Sequence, residues 1–389
     1  MRQCGIHLLR PGMVLAKPLY DKGFRMLLSE GVTLTDRYIR RIKAYRFPYI
    51  YIHEEGTEEV VATDLVDISS RKEVYTVFQQ YIPNEEKSKT VKKTVQQTAA
   101  YKSAKSGRIW MMKRAADSFI HGLLGSTAKL YYPNVSMATD ANFNHAVDVA
   151  SLAILIGFKF HYTQDEMNRL AQAAFLHDIG KASHIADFED VHALDRTEEQ
   201  QKTYELHPEQ GAALLEEDYS TDPRILMAIH QHHERQDGSG FPEKLTGSGK
   251  PPFMERKSPG QIFRLAEIIA IADYYDNLIK GMVTKSFITP LQAVEMIIQK
   301  TPSWFNPYVT EAAISVINIL PIGSNVIVED CRMLNLVHYR GVVSKINLVC
   351  LGRPQVVLLY DDHRKKLPEP IYFDFGQDST ARLIYTVDL

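Results

Sequence analysis

The chain has 389 residues, of which 45% are hydrophobic and 24% charged. That balance is typical of a soluble globular protein and excludes a disordered chain, a collagen-like fibre or a coiled coil. With 45 Lys+Arg against 47 Asp+Glu the formal charge is −2, so no overall basic field points to a nucleic acid polymer or an anionic membrane.

Cys4, Cys331 and Cys350 have no short pair spacing. They fit neither a disulfide scaffold nor a zinc–thiolate site, and they suit a reducing cytoplasm. The opening MRQCGIHLLRPGM lacks the apolar run of a signal peptide. No stretch approaches the roughly 18 apolar residues of a membrane span, so membrane insertion is not expected.

Residues 1–56 read as a small α/β domain. A strand is expected over 14–19, turns at Gly23 and Gly31, a helix with Tyr38, Ile39, Ile42 and Tyr45 at helical spacing, and an extended run over 49–52. Residues 57–125 are more polar and read as a helical connector. Its lysine-rich stretch, 85–108, is expected to be a solvated helix face, with a regulatory or partner-binding helix as the alternative. Residues 126–320 are strongly helical. Thr163 and Glu166 have capping-box spacing, and Asp222-Pro223, Ser258-Pro259 and Thr289-Pro290 each set a capping side chain before a proline at the first helical position. His207-Pro208 has the same form, with His207 expected just outside its helix. Residues 321–389 turn to short β-branched runs over 325–328, 341–346, 356–360 and 381–387, the pattern of a small β domain.

Histidine is unevenly spread, with nine of the fourteen between His145 and His233. His177-Asp178 close the helix opened at Thr163, ahead of Gly180, which can terminate it. His232-His233 lie near the end of the helix opened at Pro223. Because Ile225, Leu226, Ala228 and Ile229 face the core, the two imidazoles leave its rim about 100° apart. Asp273 shares an apolar face with Ile262, Ala266, Ile269 and Ala270 on a helix from Pro259, and a carboxylate buried there needs a cation or a set of donors.

For Asp273 alone a structural salt bridge suffices. Beside His145, His177, Asp178, His207, His232 and His233 in one helical domain, a metal is favoured. Imidazole and carboxylate without thiolate suit iron, manganese or zinc, and the oxygen share favours the first two. Seven ligands exceed what one ion with an open position needs. Two divalent transition-metal ions are therefore expected, sharing Asp178 and holding a bridging hydroxide against a phosphoryl group. His161, His184, His192 and His230 lack such placement and read as surface or packing residues.

The ordered motifs His177-Asp178-Ile179-Gly180-Lys181, His207, then His232 to Pro242 (HHERQDGSGFP), and 271–278 (IADYYDNL) resemble the HD-GYP subgroup of HD-superfamily phosphohydrolases. The resemblance covers roughly 126–320. The segment LLRPGMVLAKPLY…LLSEGVTL is similar to a small domain often found before HD-GYP domains. The implied fold is mainly α, an HD-superfamily helical bundle flanked by a small N-terminal α/β domain and a small C-terminal β domain. The implied activity is hydrolysis of cyclic di-GMP, or in some members of a cyclic GMP-AMP, in bacterial signalling.

Carried over residue by residue, the resemblance gives one ion to His145, His177, Asp178 and Asp273, and the other to Asp178, His207, His232 and His233. Lys181 would stabilise charge at the scissile phosphate. Asp276 would point into the same cavity and orient water or substrate, and Gly240, Phe241 and Pro242 would border the nucleotide pocket, with Lys285 on a phosphate. Four departures stand out. Ala141 replaces the glutamate of three-metal members, unless Asp140 substitutes. Phe241 replaces the signature tyrosine, Met282 replaces the first of two basic residues, and the stretch between Pro242 and Ile262 is long enough to form a loop over the site. Because the substrate-binding set is thinned, a catalytically weak module that binds nucleotide or a signalling partner is the alternative. A mononucleotide phosphohydrolase would explain His177-Asp178 but not His232-His233. A homodimer is compatible with the sequence, although no heptad pattern supports one.

Overall fold

The structure, a computed structural model, describes residues 1–389 apart from 22, 46, 48, 83–98, 126–129, 132–140, 185–192, 217–220, 253–259, 285–287 and 387–388; at 99–106, 141, 182–184 and 193 it describes backbone only. The chain divides into two compact units, Met1–Leu65 with Asn318–Leu389, and Val66–Tyr131 with Ala141–Ile317.

In the first unit, β1 (Arg2–Gly5) pairs antiparallel with β4 (Tyr49–Ile52), and β2 (Leu19–Tyr20) with β3 (Met26–Leu28). The expected strand over 14–19 is thus confined to its end, and Val14 and Leu15 form isolated bridges to Thr33 and Ile52. Helix α1 (Asp36–Ala44) is capped by Thr35, whose hydroxyl accepts from the Tyr38 N–H. Its apolar stripe, Ile39 and Ile42, packs on Leu15, Leu34, Phe47 and Ile50.

The C-terminal segment supplies β5 (Asn325–Asp330), β6 (Arg340–Lys345), β7 (Gln355–Tyr360), β8 (Lys366–Asp374) and β9 (Arg382–Thr386), an antiparallel sheet of order β8-β7-β6-β5-β9. Pro368 and Pro370 hide β8 from a sequence reading. Both prolines are tolerated because β8 is an edge strand.

The two chain ends share this unit, rather than forming the two separate domains expected over 1–56 and 321–389. Gln3 N–H donates to the Gly323 carbonyl at 2.8 Å, Asn325 Nδ2 to the Gln3 carbonyl at 3.1 Å, and Tyr385 Oη to Gln3 Oε1 at 3.0 Å. Pairings more than 300 residues apart leave no local signal.

The second unit is helical. It begins with α2 (Ile68–Phe78) and α3 (Ala99–Gly125), which lie in the region expected to be a connector and cluster with this unit. Then come α4 (Ala141–Lys159), α5 (Gln164–Leu176), a 3₁₀ turn over Ile179–His184, α6 (Glu198–Glu205), α7 (His207–Glu216), α8 (Pro223–Gln231), α9 (Arg264–Ile279), α10 (Pro290–Lys300) and α11 (Pro307–Val316). Lysines 87, 89, 92 and 93 of the lysine-rich stretch lie outside the described residues.

Capping chemistry sets several of these starts. Thr163 and Thr289 form capping boxes, and Asp222 caps α8 ahead of Pro223. Helices α4 and α9 are apolar on nearly all sides, as helices at the centre of a bundle are: Ala146, Val147, Val149 and Ala150 of α4, and Leu265, Ala266, Ile268 and Ile269 of α9, are all at most 2% exposed. Two expected boundaries shift. Helix α9 starts at Arg264, leaving Ile262 before it, and His207 is the first residue of α7 rather than lying outside it.

Candidate metal centre

Five segments bring the seven expected ligands together. His145 comes from α4, and His177 caps the C-terminus of α5 with Asp178 one residue beyond. His207 opens α7, His232 caps α8 with His233 following, and Asp273 sits two turns into α9. Ligand atoms of Asp178, His207, His232 and His233 all lie within 4.8 Å of one another, and those of His145, His177 and Asp273 form a second such group. Asp178 joins the two. Its Oδ1 lies 3.2 Å from His207 Nε2 and 3.6 Å from His177 Nε2, and its Oδ2 lies 3.5 Å from His145 Nε2.

The hydrogen bonds behind the imidazoles fix their tautomers. Nδ1 of His177, His207 and His232 contacts the carbonyls of Ala174, Tyr204 and Ile229 at 2.8, 2.6 and 2.6 Å. A carbonyl only accepts, so each Nδ1 carries the proton and each Nε2 turns a lone pair inward. Those lone pairs crowd each other. His207 Nε2 and His232 Nε2 are 3.2 Å apart, as are the Nε2 atoms of His145 and His177. Asp178 Oδ1 is buried and accepts no hydrogen bond. Converging lone pairs around a buried orphan carboxylate oxygen repel one another unless a cation lies between them, so the donor set fits divalent metal.

The charges agree with that fit. Burial opposes ionisation of Asp178, but the Lys181 ammonium outweighs it and holds the carboxyl well below its usual range. Asp273 is likewise held down against burial by His145 and His177. Burial together with Lys181 lowers His207; burial with the neighbouring imidazoles keeps His232 and His233 well below 6.5, so these three are neutral ligands. Burial also opposes protonation of His145, but Asp273 at 3.0 Å and Asp276 at 2.6 Å carry it up to about 9. In the absence of a cation a proton holds its place there.

Lys181 Nζ lies 2.6 Å from Asp178 Oδ2, directly beside the ligand cluster. Asp276 does not enter the cavity as expected. It is 1% exposed and lies behind His145, accepting the Nδ1–H, because one helical turn beyond Asp273 the side chain faces α4. Phe241 stacks on His233, with centroids 4.7 Å apart and planes at 30°.

Gly240 is accounted for by its own loop. A Cβ there would meet Glu234 Cα and the His233 carbonyl oxygen at 2.5 Å. Pro242 follows at the same bend, and the described part of the long loop is tied down by Glu234, whose carboxylate accepts from Glu243 N and Leu245 N at 2.7 and 2.8 Å. Met282 is half-buried beyond α9, whereas Lys285 and Asp140 lie outside the described residues. Gly180 does not end α5 by a left-handed turn; it lets two backbones touch, since a Cβ there would lie 2.0 Å from the His207 carbonyl oxygen. His161 is exposed and His230 half-buried, while the His184 side chain and His192 lie outside the described residues.

The sequence reading missed the groups that hold the ligands. Tyr204 contacts His233 Nε2 through its hydroxyl at 3.2 Å, and its ring carries Arg196 at 3.6 Å and Lys181 at 4.8 Å. Asn277 Nδ2 donates to Asp273 Oδ1 at 2.7 Å. Lys280 binds Asp276 at 2.6 Å and Asp148 at 3.1 Å. The only available signal was spacing: Asn277 and Lys280 each follow the aspartate they hold by four residues on α9.

The HD domain family matches residues 129–309. The chain is 25% identical over 255 residues to "Cyclic di-GMP phosphodiesterase PA4108" from Pseudomonas aeruginosa, covering 63% of this chain and 56% of that protein. It is 28% identical over 166 residues to "Cyclic di-GMP phosphodiesterase response regulator RpfG" from Xanthomonas campestris pv. campestris, covering 42% and 40% respectively. The chain therefore spans about half the length of these relatives. Among solved structures it is similar to Bd1817, a HDG"Y"P protein from Bdellovibrio bacteriovorus, with 17% identity over 80% of this chain and 97% of that one at a TM-score of 0.46. The match places residues 129–309, the segment that holds the ordered His and Asp motifs, in the HD domain family.

Proposed function

We propose that the chain is a metal-dependent phosphodiesterase that hydrolyses a cyclic dinucleotide, cyclic di-GMP first among them, at the His/Asp centre. The observation that carries the reading is the position of Asp178, whose carboxylate lies between two sets of donors, 3.2 Å from His207 Nε2 in one and 3.5 Å from His145 Nε2 in the other. That arrangement suits two divalent ions, iron or manganese before zinc, with His145, His177, Asp178 and Asp273 on one and Asp178, His207, His232 and His233 on the other. Bound there, such ions supply Lewis acidity for phosphoryl oxygens and a water of lowered pKa.

The chain's own residues supply the rest. Burial works against the charge on Lys181, but Asp178 outweighs it and raises the pKa, so the ammonium stays charged at neutral pH. It sits beside the cluster, where it can stabilise the negative charge that builds on a phosphoryl group under attack. Tyr204 and Phe241 both contact His233 and set aromatic surface beside the cluster. The choice of a cyclic dinucleotide rests on the relatives' names and on the ordered motifs, and Lys285 with the 240–242 bend is assigned to the nucleotide. Three free thiols suit a reducing cytoplasm. No helix among the described residues is long and apolar enough to cross a membrane.

The test is incubation of iron- or manganese-loaded protein with cyclic di-GMP, cyclic GMP-AMP and a generic aryl phosphodiester, with separation of the products. Cleavage of cyclic di-GMP to the linear dinucleotide or GMP is expected. Cleavage of the aryl ester alone would keep the chemistry and reject the substrate, and tight nucleotide binding without cleavage would reject the enzyme.

A further inference from the structure

We propose that Lys280 is a positioning residue for the ion on the His145 side, acting through Asp276 and anchored on Asp148. The inference deepens the proposed function and rests on it.

Lys280 is the C-cap of α9, one turn after Asp276. Its Nζ donates to Asp276 Oδ2 at 2.6 Å, and this same oxygen accepts the His145 Nδ1–H at 2.6 Å. Asp276 Oδ1 is buried and accepts nothing, so the whole carboxylate is held at one oxygen by two donors. No other lysine or arginine pairs with Asp276 among the described residues. The second contact of Lys280, 3.1 Å to Asp148 Oδ2, reaches α4 three residues after His145. The ammonium therefore ties the end of α9 to the helix that carries the ligand. Asp148 and Asp276 are 4% and 1% exposed, and the Lys280 side chain keeps about a third of its surface in solvent.

A buried carboxylate that loses one of two partners reorients towards whatever donor remains or towards water. If Asp276 turns, the Nδ1–H of His145 loses its acceptor and the ring is free to rotate about its last bond. The Nε2 lone pair then leaves the direction shared with His177 and Asp273. Groups that orient a metal ligand from behind commonly contribute 10–100-fold to metal affinity, and the effect falls on one ion when only one ligand is released. His207, His232 and His233 do not touch this chain of contacts, so their ion stays.

The experiment measures metal per chain by elemental analysis and stepwise affinity by titration, in the full chain with manganese as probe. About two ions are expected in the unmodified protein. Lys280→Met should lower the affinity of one site roughly 10–100-fold, leaving about one ion at limiting metal. Adding Lys280→Met to His145→Ala should cause no further loss, whereas adding His207→Ala to Lys280→Met should remove the remaining ion. Retention of two tight sites in Lys280→Met, or additive losses with His145→Ala, would overturn the positioning role. If circular dichroism shows that Lys280→Met does not fold, Lys280→Arg decides, since it keeps the charge but changes the reach. It should weaken one site several-fold, and equal loss at both sites would overturn the proposal. An unmodified protein that binds no transition metal would reject the proposed function and the positioning role with it. Two ions in the unmodified chain and two in Lys280→Met would reject the positioning role alone.

Discussion

The two halves of the centre are held in different ways. On the His207 side the imidazoles of His207 and His232 hang from carbonyls three residues earlier in their own chain, and His233 is wedged between Tyr204 and Phe241. On the other side His145 leans on Asp276, Asp276 on Lys280, and Asp273 on Asn277. One half is fixed by backbone and aromatic surface; in the other only His177 hangs from a backbone carbonyl, that of Ala174, while His145 and Asp273 are held by side chains. A backbone-held ligand moves only with its helix, whereas a charge-held one can be released by a substitution two residues removed from it.

The largest expected effect erases the difference, because Asp178 belongs to both halves. Asp178→Ala should lose both ions and lower turnover by at least ~10³-fold, read by elemental analysis and product formation. Full occupancy in that variant would refute the shared ligand. Lys181→Met should separate holding from chemistry, keeping both ions but reducing single-turnover cleavage roughly 10²–10³-fold. Unchanged turnover would take Lys181 out of the reaction.

A titration of the metal-free chain should expose the contrast directly. His145 is raised from 6.5 to about 9. Between those values the folded chain keeps a proton that the unfolded chain releases. The resulting stabilisation, roughly 3 kcal/mol at most, is complete below about pH 6.5 and lost as pH rises through about 9. His207, His232 and His233 are lowered, so the unfolded chain binds protons that the folded one refuses, and their contribution fades as pH falls below 6.5. The melting temperature should therefore peak near neutrality and fall on both sides, with His145→Asn flattening only the alkaline limb. An alkaline fall that survives in His145→Asn assigns it to another group. The smallest effect belongs to the aromatic wedge. Phe241→Ala should weaken the His207-side ion about tenfold, while Phe241→Tyr, which keeps the ring on His233, should match the unmodified chain in a metal titration.

What could be read from the sequence follows the same line. Ligands that sit at helix ends announce themselves through caps and prolines, as Thr163 does for His177 and Asp222-Pro223 for His232-His233. The shared unit built from both chain ends could not be read, since Gln3 and Gly323 meet only in three dimensions. Nor could the inward turn of Asp276 towards α4, because helical spacing gives a direction but not the identity of the facing helix. Strand β8 was masked by its own prolines. The start of α9 was misplaced because Ser258-Pro259 offered a stronger local signal than Phe263, which caps the helix without a side-chain hydrogen bond.

Gly180 gives the centre its gauge. With no room for even one methyl group between its Cα and the His207 carbonyl, the 3₁₀ turn that follows α5 and the first turn of α7 rest in hard contact. The gap between the imidazoles of His177 and His207 is thus set by two peptide groups in van der Waals contact rather than by side chains that can adjust. Such a stop resists compression but not spreading.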